Sequence, residues 1–152
     1  MAGRARGPVV PPVAFWDASA LVPLCIQEPR SANALSLHRQ YEIVVWWATS
    51  VEIASALARL LRMKLLSSRQ WAQARDTASV FAQAWTVVTP SNAVRASAQK
   101  IVEQYDLRAG DALQLAAALE WCADVPRGRK FLTADTRLFQ AALLCGFDAL
   151  NI

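Results

Sequence analysis

Short runs of β-branched and aromatic residues alternate with helix-forming segments along the whole chain, and this alternation limits the fold more than any other feature. Residues 13–16, 42–47, 86–89, 130–133 and 147–152 read as strands. Helical segments fill the intervals at about residues 19–27, 31–39, 49–64, 69–84, 92–105, 110–122 and 135–144. Glu28-Pro29 separates the first two helices, Thr49 or Ser50 and Ser67 or Ser68 offer N-caps, and Gly146 ends the last helix. Pro23 is expected in or near the first turn of its helix, where proline is tolerated. Strict alternation predicts an α/β fold, with a parallel sheet, helices on both faces and right-handed crossovers. The segment opened by Gly110-Asp111 is apolar almost all round, which marks it as a central, buried helix.

The length of 152 residues fits one domain. A Gly/Pro/Arg-rich stretch, residues 1–12, reads as a flexible tail, and residues 13–152 as the folded body. No apolar run approaches the roughly 18 residues of a membrane-spanning helix, and no secretory signal pattern opens the chain. The three cysteines, Cys25, Cys122 and Cys145, are widely spaced in apolar surroundings and read as buried free thiols. A reducing, cytoplasmic setting follows from that reading. The single histidine, His38, has no partners for acid–base catalysis or for a zinc site. Five glycines in the whole chain leave no phosphate-binding glycine loop. A hydrophobic fraction of 55% and six tryptophans point to some surface covered by a partner. The net charge of +4 permits nucleic-acid binding without requiring it.

Four acids fall at comparable places in the strand–helix pattern. Asp17 follows the first strand, Glu52 lies in the first turn after the second, Asp111 opens the apolar helix, and Asp135 follows the strand at 130–133. The C-terminal ends of parallel strands share one edge, where ligands bind. Any one acid in a first helical turn is explained by the helix dipole, worth ~0.3–1 kcal/mol. Four together repel, and a hard divalent cation, Mg²⁺ or Mn²⁺, is the counter-charge that oxygen ligands select. Such a site activates water and stabilises charge on a phosphoryl oxygen.

These residues carry a resemblance. Asp17-Ala-Ser-Ala-Leu-Val, Ser50-Val-Glu52-Ile-Ala-Ser-Ala-Leu, Leu107-Arg-Ala-Gly-Asp111-Ala-Leu-Gln-Leu-Ala-Ala-Ala and Leu132-Thr-Ala-Asp135-Thr-Arg-Leu resemble, in order, the four motifs of the PIN-domain family. Over residues 13–152 the chain is most similar to the VapC-type toxins of bacterial toxin–antitoxin systems. The resemblance implies a single PIN-like domain with a five-stranded parallel sheet and a Mg²⁺- or Mn²⁺-dependent endoribonuclease activity. It assigns metal binding and catalysis to Asp17, Glu52, Asp111 and Asp135, with Ser19 and Thr133 as supporting hydroxyls. It further implies an RNA substrate of the tRNA or rRNA class, a homodimer, and a cognate antitoxin that covers the active-site groove. Trp16 and the Trp46-Trp47 pair are bulkier than the pattern leads one to expect.

RNA also needs cations beside the acids. Arg108 stands three residues before Asp111 and is the first candidate. Arg59 and Arg62 follow, with Lys64, Arg69, Arg75, Arg127, Arg129 and Lys130 as further choices. Leu60, Leu61, Met63, Leu65, Leu66 and Trp71 exceed what one core needs and read in part as an antitoxin groove or dimer surface, with Trp71 itself expected in the core. Two other functions compete. A catalytically silent PIN-like module would bind RNA or protein without cleavage. A metal-dependent phosphatase would act on small molecules, although no Asp-x-Asp pair follows the first strand.

Overall fold

A computed structural model describes residues 11–152. Five strands form one parallel sheet: β1 (Val13–Trp16), β2 (Glu42–Trp46), β3 (Thr86–Val88), β4 (Lys130–Thr133) and β5 (Asp148–Asn151). Seven helices connect them: α1 (Ala18–Cys25), α2 (Ser31–His38), α3 (Thr49–Arg62), α4 (Ser68–Ala82), α5 (Asn92–Gln104), α6 (Ala109–Trp121) and α7 (Thr136–Cys145). The strand order is β3-β2-β1-β4-β5. From β1 the chain builds outward through β2 to β3, then crosses back to lay β4 on the other side of β1. The boundary between β1 and β4 is therefore the point where the winding reverses, and its C-terminal end is where a crevice opens in a fold of this kind.

Alternation along the strands divides the core into two layers. Phe15, Val44, Trp46 and Phe131 pack against α5, α6 and α7, and Phe15 stacks on Phe131 with ring centres 5.4 Å apart. Ala14, Trp16, Ile43, Val45 and Leu132 face the other layer, with Leu21, Leu24, Ile53, Leu57 and Ala74 from α1, α3 and α4. Helix α6 buries Ala112, Gln114, Leu115, Ala116, Ala117 and Ala118, as its all-round apolarity predicts. Trp16 is fully buried in this packing rather than lining the edge of the sheet.

Several local expectations shift. The N-cap of α3 is Ala48, which has no side chain to cap with; Thr49 is instead drawn into the helix and buried. Ser67 does cap α4, in a reciprocal capping box with Gln70. Helix α3 stops at Arg62, and Lys64 adopts a positive φ of 59°. Pro23 falls in the second turn of α1, where it cannot donate to the Ser19 carbonyl, and α1 ends at Cys25. The second strand ends at Trp46, leaving Trp47 59% exposed. Trp71 is half-buried under the Arg75 guanidinium, 4.7 Å above its ring, rather than in the core. All three thiols are free, but only Cys122 is buried; Cys25 and Cys145 are partly open. Of the expected tail, residues 1–10 lie outside the described residues, and the Pro12 carbonyl already accepts from Glu42 N at 2.9 Å. Among the described residues no helix is long and apolar enough to cross a membrane.

Candidate active site

Asp17 sits where β1 ends. Its backbone N–H donates to the Leu132 carbonyl at 2.9 Å, so the β1–β4 register continues to the first residue of the crevice. Its side chain caps α1 by accepting from Ser19 N at 3.2 Å. The same oxygen, Oδ2, accepts from the Ser19 hydroxyl and from Thr133 Oγ1 at 2.9 Å. Each hydroxyl has one proton, and both are directed to Asp17. The 3.1 Å approach of Ser19 Oγ to Thr133 Oγ1 then follows from serving one carboxylate. Both hydroxyls also accept: Ser19 Oγ from Ala134 N at 2.9 Å, and Thr133 Oγ1 from Asp135 N at 3.0 Å. The first and fourth motifs are thus tied together, and Ser19 and Thr133 hold the positions expected of supporting hydroxyls. Asp135 caps α7 through Leu138 N at 2.8 Å.

The other two acids arrive on helices. Glu52 stands in the first turn of α3 and Asp111 in the first turn of α6. Between them lies a residue that sequence patterning did not single out. Gln114 is fully buried, one turn beyond Asp111 on α6, and its Nε2 donates to Glu52 Oε1 at 3.2 Å and to Thr49 Oγ1 at 3.1 Å. Only an N–H can serve an ionised carboxylate, so Glu52 sets the orientation of the amide. Gln114 Oε1 is left buried without a partner.

All four acids line one open cleft of about 340 Å³, together with Ser19, Glu28, Arg30 and Arg59. Glu28 and Arg30, from the turn between α1 and α2, are two lining residues with no periodic signal in the sequence. Arg108 lines an adjoining recess with Asp111 and Asp135. Arg62 is exposed in the last turn of α3 and does not line the cleft.

The acids feel one another's charge. Burial pushes the Asp17 carboxyl up, while the bonds from Ser19 and Thr133 pull it back toward the ionised form. Burial raises Glu52 to about 7; the Gln114 bond opposes this, and the charges of Asp17 and Asp111 add to it. Burial, then Asp17 and Asp135, raise Asp111 to about 6, with Arg108 opposing. The ion pairs among the described residues are Lys130–Asp148 and Arg137–Asp106, and neither includes any of the four acids. The acids gather with no bonded protein cation to balance them. Among the described residues no three acids, histidines or cysteines are arranged to hold a metal ion as they stand.

The PIN domain family matches residues 14–143, and the chain belongs to that family. Solved structures share the fold. PAE2754 from Pyrobaculum aerophilum aligns with a TM-score of 0.63 and 19% identity, covering 92% of this chain and 89% of that one. VapBC2 from Rickettsia felis, bound to a DNA fragment from its promoter, gives 0.63 at 10% identity, over 91% of this chain and 98% of that one. FitAcB from Neisseria gonorrhoeae gives 0.61 at 16% identity, over 91% and 97%. At these identities the likeness is one of fold. No curated protein matches the chain by sequence.

Proposed function

We propose that this protein is a metal-dependent endoribonuclease and the toxin of a type II toxin–antitoxin pair. The observation that carries the reading is the convergence of Asp17, Glu52, Asp111 and Asp135 on one cleft at the point where the sheet reverses its winding. Membership of the PIN family and the fold shared with VapBC2 and with a toxin–antitoxin complex from Klebsiella pneumoniae (TM-score 0.56, 19% identity, over 83% of this chain and 89% of that one) support it. The donor set fits Mg²⁺ or Mn²⁺: every candidate ligand is a hard carboxylate oxygen, and burial, with the repulsion of neighbouring acids added, raises Glu52 and Asp111, a penalty that a divalent cation relieves. Asp17, Glu52, Asp111 and Asp135 would hold it. When bound, such an ion activates water as the nucleophile and stabilises charge developing on the phosphoryl oxygens.

The chain's own groups prepare the site. Ser19 and Thr133 fix one oxygen of Asp17, so the carboxylate presents its other oxygen in one direction. Gln114, buried under the cleft, holds the Glu52 carboxylate from below. Arg59 and Arg108 draw the RNA phosphates to the two flanks, and Arg62 adds to the field felt by an approaching strand. The cognate antitoxin would cover this cleft, and two copies of the chain would form a homodimer. Exposed Met63 and Leu65, beyond the end of α3, are apolar surface available to such a partner.

A silent RNA- or protein-binding module is the competing reading, and the lack of a ready-made set of three ligands among the described residues favours it. Cleavage of a tRNA and rRNA mixture by antitoxin-free protein separates the two. Discrete fragments that need Mg²⁺ or Mn²⁺, vanish with EDTA and are absent with Asp17→Asn support the nuclease. Intact RNA from folded protein supplied with Mn²⁺ rejects it.

A further inference from the structure

The cleft does not end at the four acids. Asp111 and Asp135 also form a wall of an adjoining recess of about 380 Å³, completed by Asp106, Arg108, Gly110 and Arg137. A strand lying across these two acids enters both spaces. Two arginines project into the recess from neighbouring helix starts: Arg108 precedes α6, and Arg137 is the second residue of α7. A Cβ on Gly110 would meet nothing within 4 Å, so the space above that backbone is open.

The two cations differ in occupation. Arg108 forms no ion pair among the described residues, although its charge acts on Asp111. Arg137 Nη1 lies 3.3 Å from Asp106 Oδ2, with the two side chains 70% and 93% exposed. An ion pair so open to water contributes little. Arg137 meets Asp106 through the single Nη1 contact, whereas a phosphate can take a guanidinium in a charge-assisted bidentate pair, so a phosphate can compete with Asp106 for Arg137. Among the described residues Asp106 has no other ion pair, and its side chain, almost wholly exposed, can swing into solvent. The remaining acids of the recess, Asp111 and Asp135, are the two that the proposed cation would neutralise.

We propose that this recess is a subsite for the RNA phosphate next to the scissile one, held by Arg108 and Arg137, with Asp106 competing for Arg137 until the strand arrives. The assignment rests on the nuclease reading for the place of the scissile phosphate. It concerns binding, however, and can be measured where nothing is cut. It also gives Asp106 a role opposite in sign to that of the arginines, which a merely basic surface would not.

The test is equilibrium binding of a fluorescent single-stranded RNA at several salt concentrations, with Mn²⁺ present. Each variant is made in the Asp17→Asn protein so that no strand is consumed. For single strands, log K changes with log salt by about −0.7 per phosphate neutralised. Arg108→Ala and Arg137→Ala should each weaken binding several-fold, and the double variant, which loses the one phosphate contact, should flatten the slope by about 0.7. Arg137→Lys should keep the slope. Asp106→Asn should tighten binding, and should have no effect once Arg137 is alanine. Arg39→Ala, exposed after α2 and just before β2 at the opposite end of the sheet, should change nothing. An unchanged slope in the Arg108→Ala/Arg137→Ala double variant, or weaker binding by Asp106→Asn, would overturn the subsite. RNA left intact by the unmutated protein, with these slopes observed, would reject the nuclease and leave the recess standing as a phosphate site.

Discussion

Gln114→Leu separates the site from the fold better than any other single change. Gln114 is fully buried, and leucine matches its bulk. The substitution removes two hydrogen bonds, to Thr49 and Glu52, each worth about 1 kcal/mol net, somewhat more for the one to a carboxylate. It also removes the unpartnered Gln114 Oε1, whose burial costs ~1–3 kcal/mol, and adds apolar surface to a layer already built from Leu115 and Ala117. The terms oppose each other, so stability should change by no more than about 1 kcal/mol, a shift in Tm of only a few degrees. The site should respond differently. Glu52 loses the donor that orients it and opposes its upward shift, so its carboxyl should rise further above its present value of about 7. Losing a partner that orients a ligand typically costs 10–100-fold in metal affinity. Calorimetric titration of Mn²⁺ into the variant at pH 7 should therefore show at least a tenfold loss, beside a thermal melt close to that of the parent. Unchanged Mn²⁺ affinity would refute the reasoning, because Gln114 would then be packing alone.

Two further outcomes follow from the same bonds. Thr133→Val keeps the shape of a fully buried side chain but takes a donor from Asp17 and an acceptor from Asp135 N. It should cost ~1–3 kcal/mol at neutral pH in a denaturant melt, and a neutral result would mean that Ser19 alone suffices for Asp17. In metal-free protein, Asp17, Glu52 and Asp111 all have raised pKa values, so between about pH 4 and 7 the folded state binds more protons than the unfolded chain. Stability contributed by these groups is then greatest at low pH and declines as pH rises through that window. The Tm with EDTA should fall from pH 5.5 to 8, the fall should be shallower in Glu52→Gln, and added Mn²⁺ should raise Tm more at pH 8 than at 5.5. A melt that becomes steadily more stable toward pH 8 without metal would contradict the assignment.

What the sequence made legible was local. Phe15 and Trp16, Val44 and Val45, and Phe131 and Leu132 could be placed on strands because the β-branched and aromatic runs are short and sharply bounded. The four acids were legible because each follows such a run or opens a helix, and the end of a strand is a position that propensity alone marks. Strand order was not: nothing in the periodicity of residues 130–133 says that they pair with 14–16 rather than with 86–88. Gln114 was missed because it is one polar residue in an apolar helix, and its partner Glu52 is 62 positions away. Glu28 and Arg30 belong to a turn, where no repeat points toward the cleft. The cap of α3 was misplaced because Thr49, a good capping residue by type, is more useful as a buried acceptor for Gln114. At Thr49 tertiary contact overrode local preference, in favour of a bond to the residue that also holds Glu52.

The central claim is that four carboxylates from four separate segments act as one cation site. Its most direct measurement is Mn²⁺ binding by metal-free protein, compared with Asp17→Asn, Glu52→Gln, Asp111→Asn and Asp135→Asn under identical conditions near pH 7. The account predicts saturable binding with release of protons, since Glu52 is part-protonated there, and at least a tenfold weakening in each variant. Folded protein that binds no Mn²⁺, or four variants that bind it as the parent does, would contradict it.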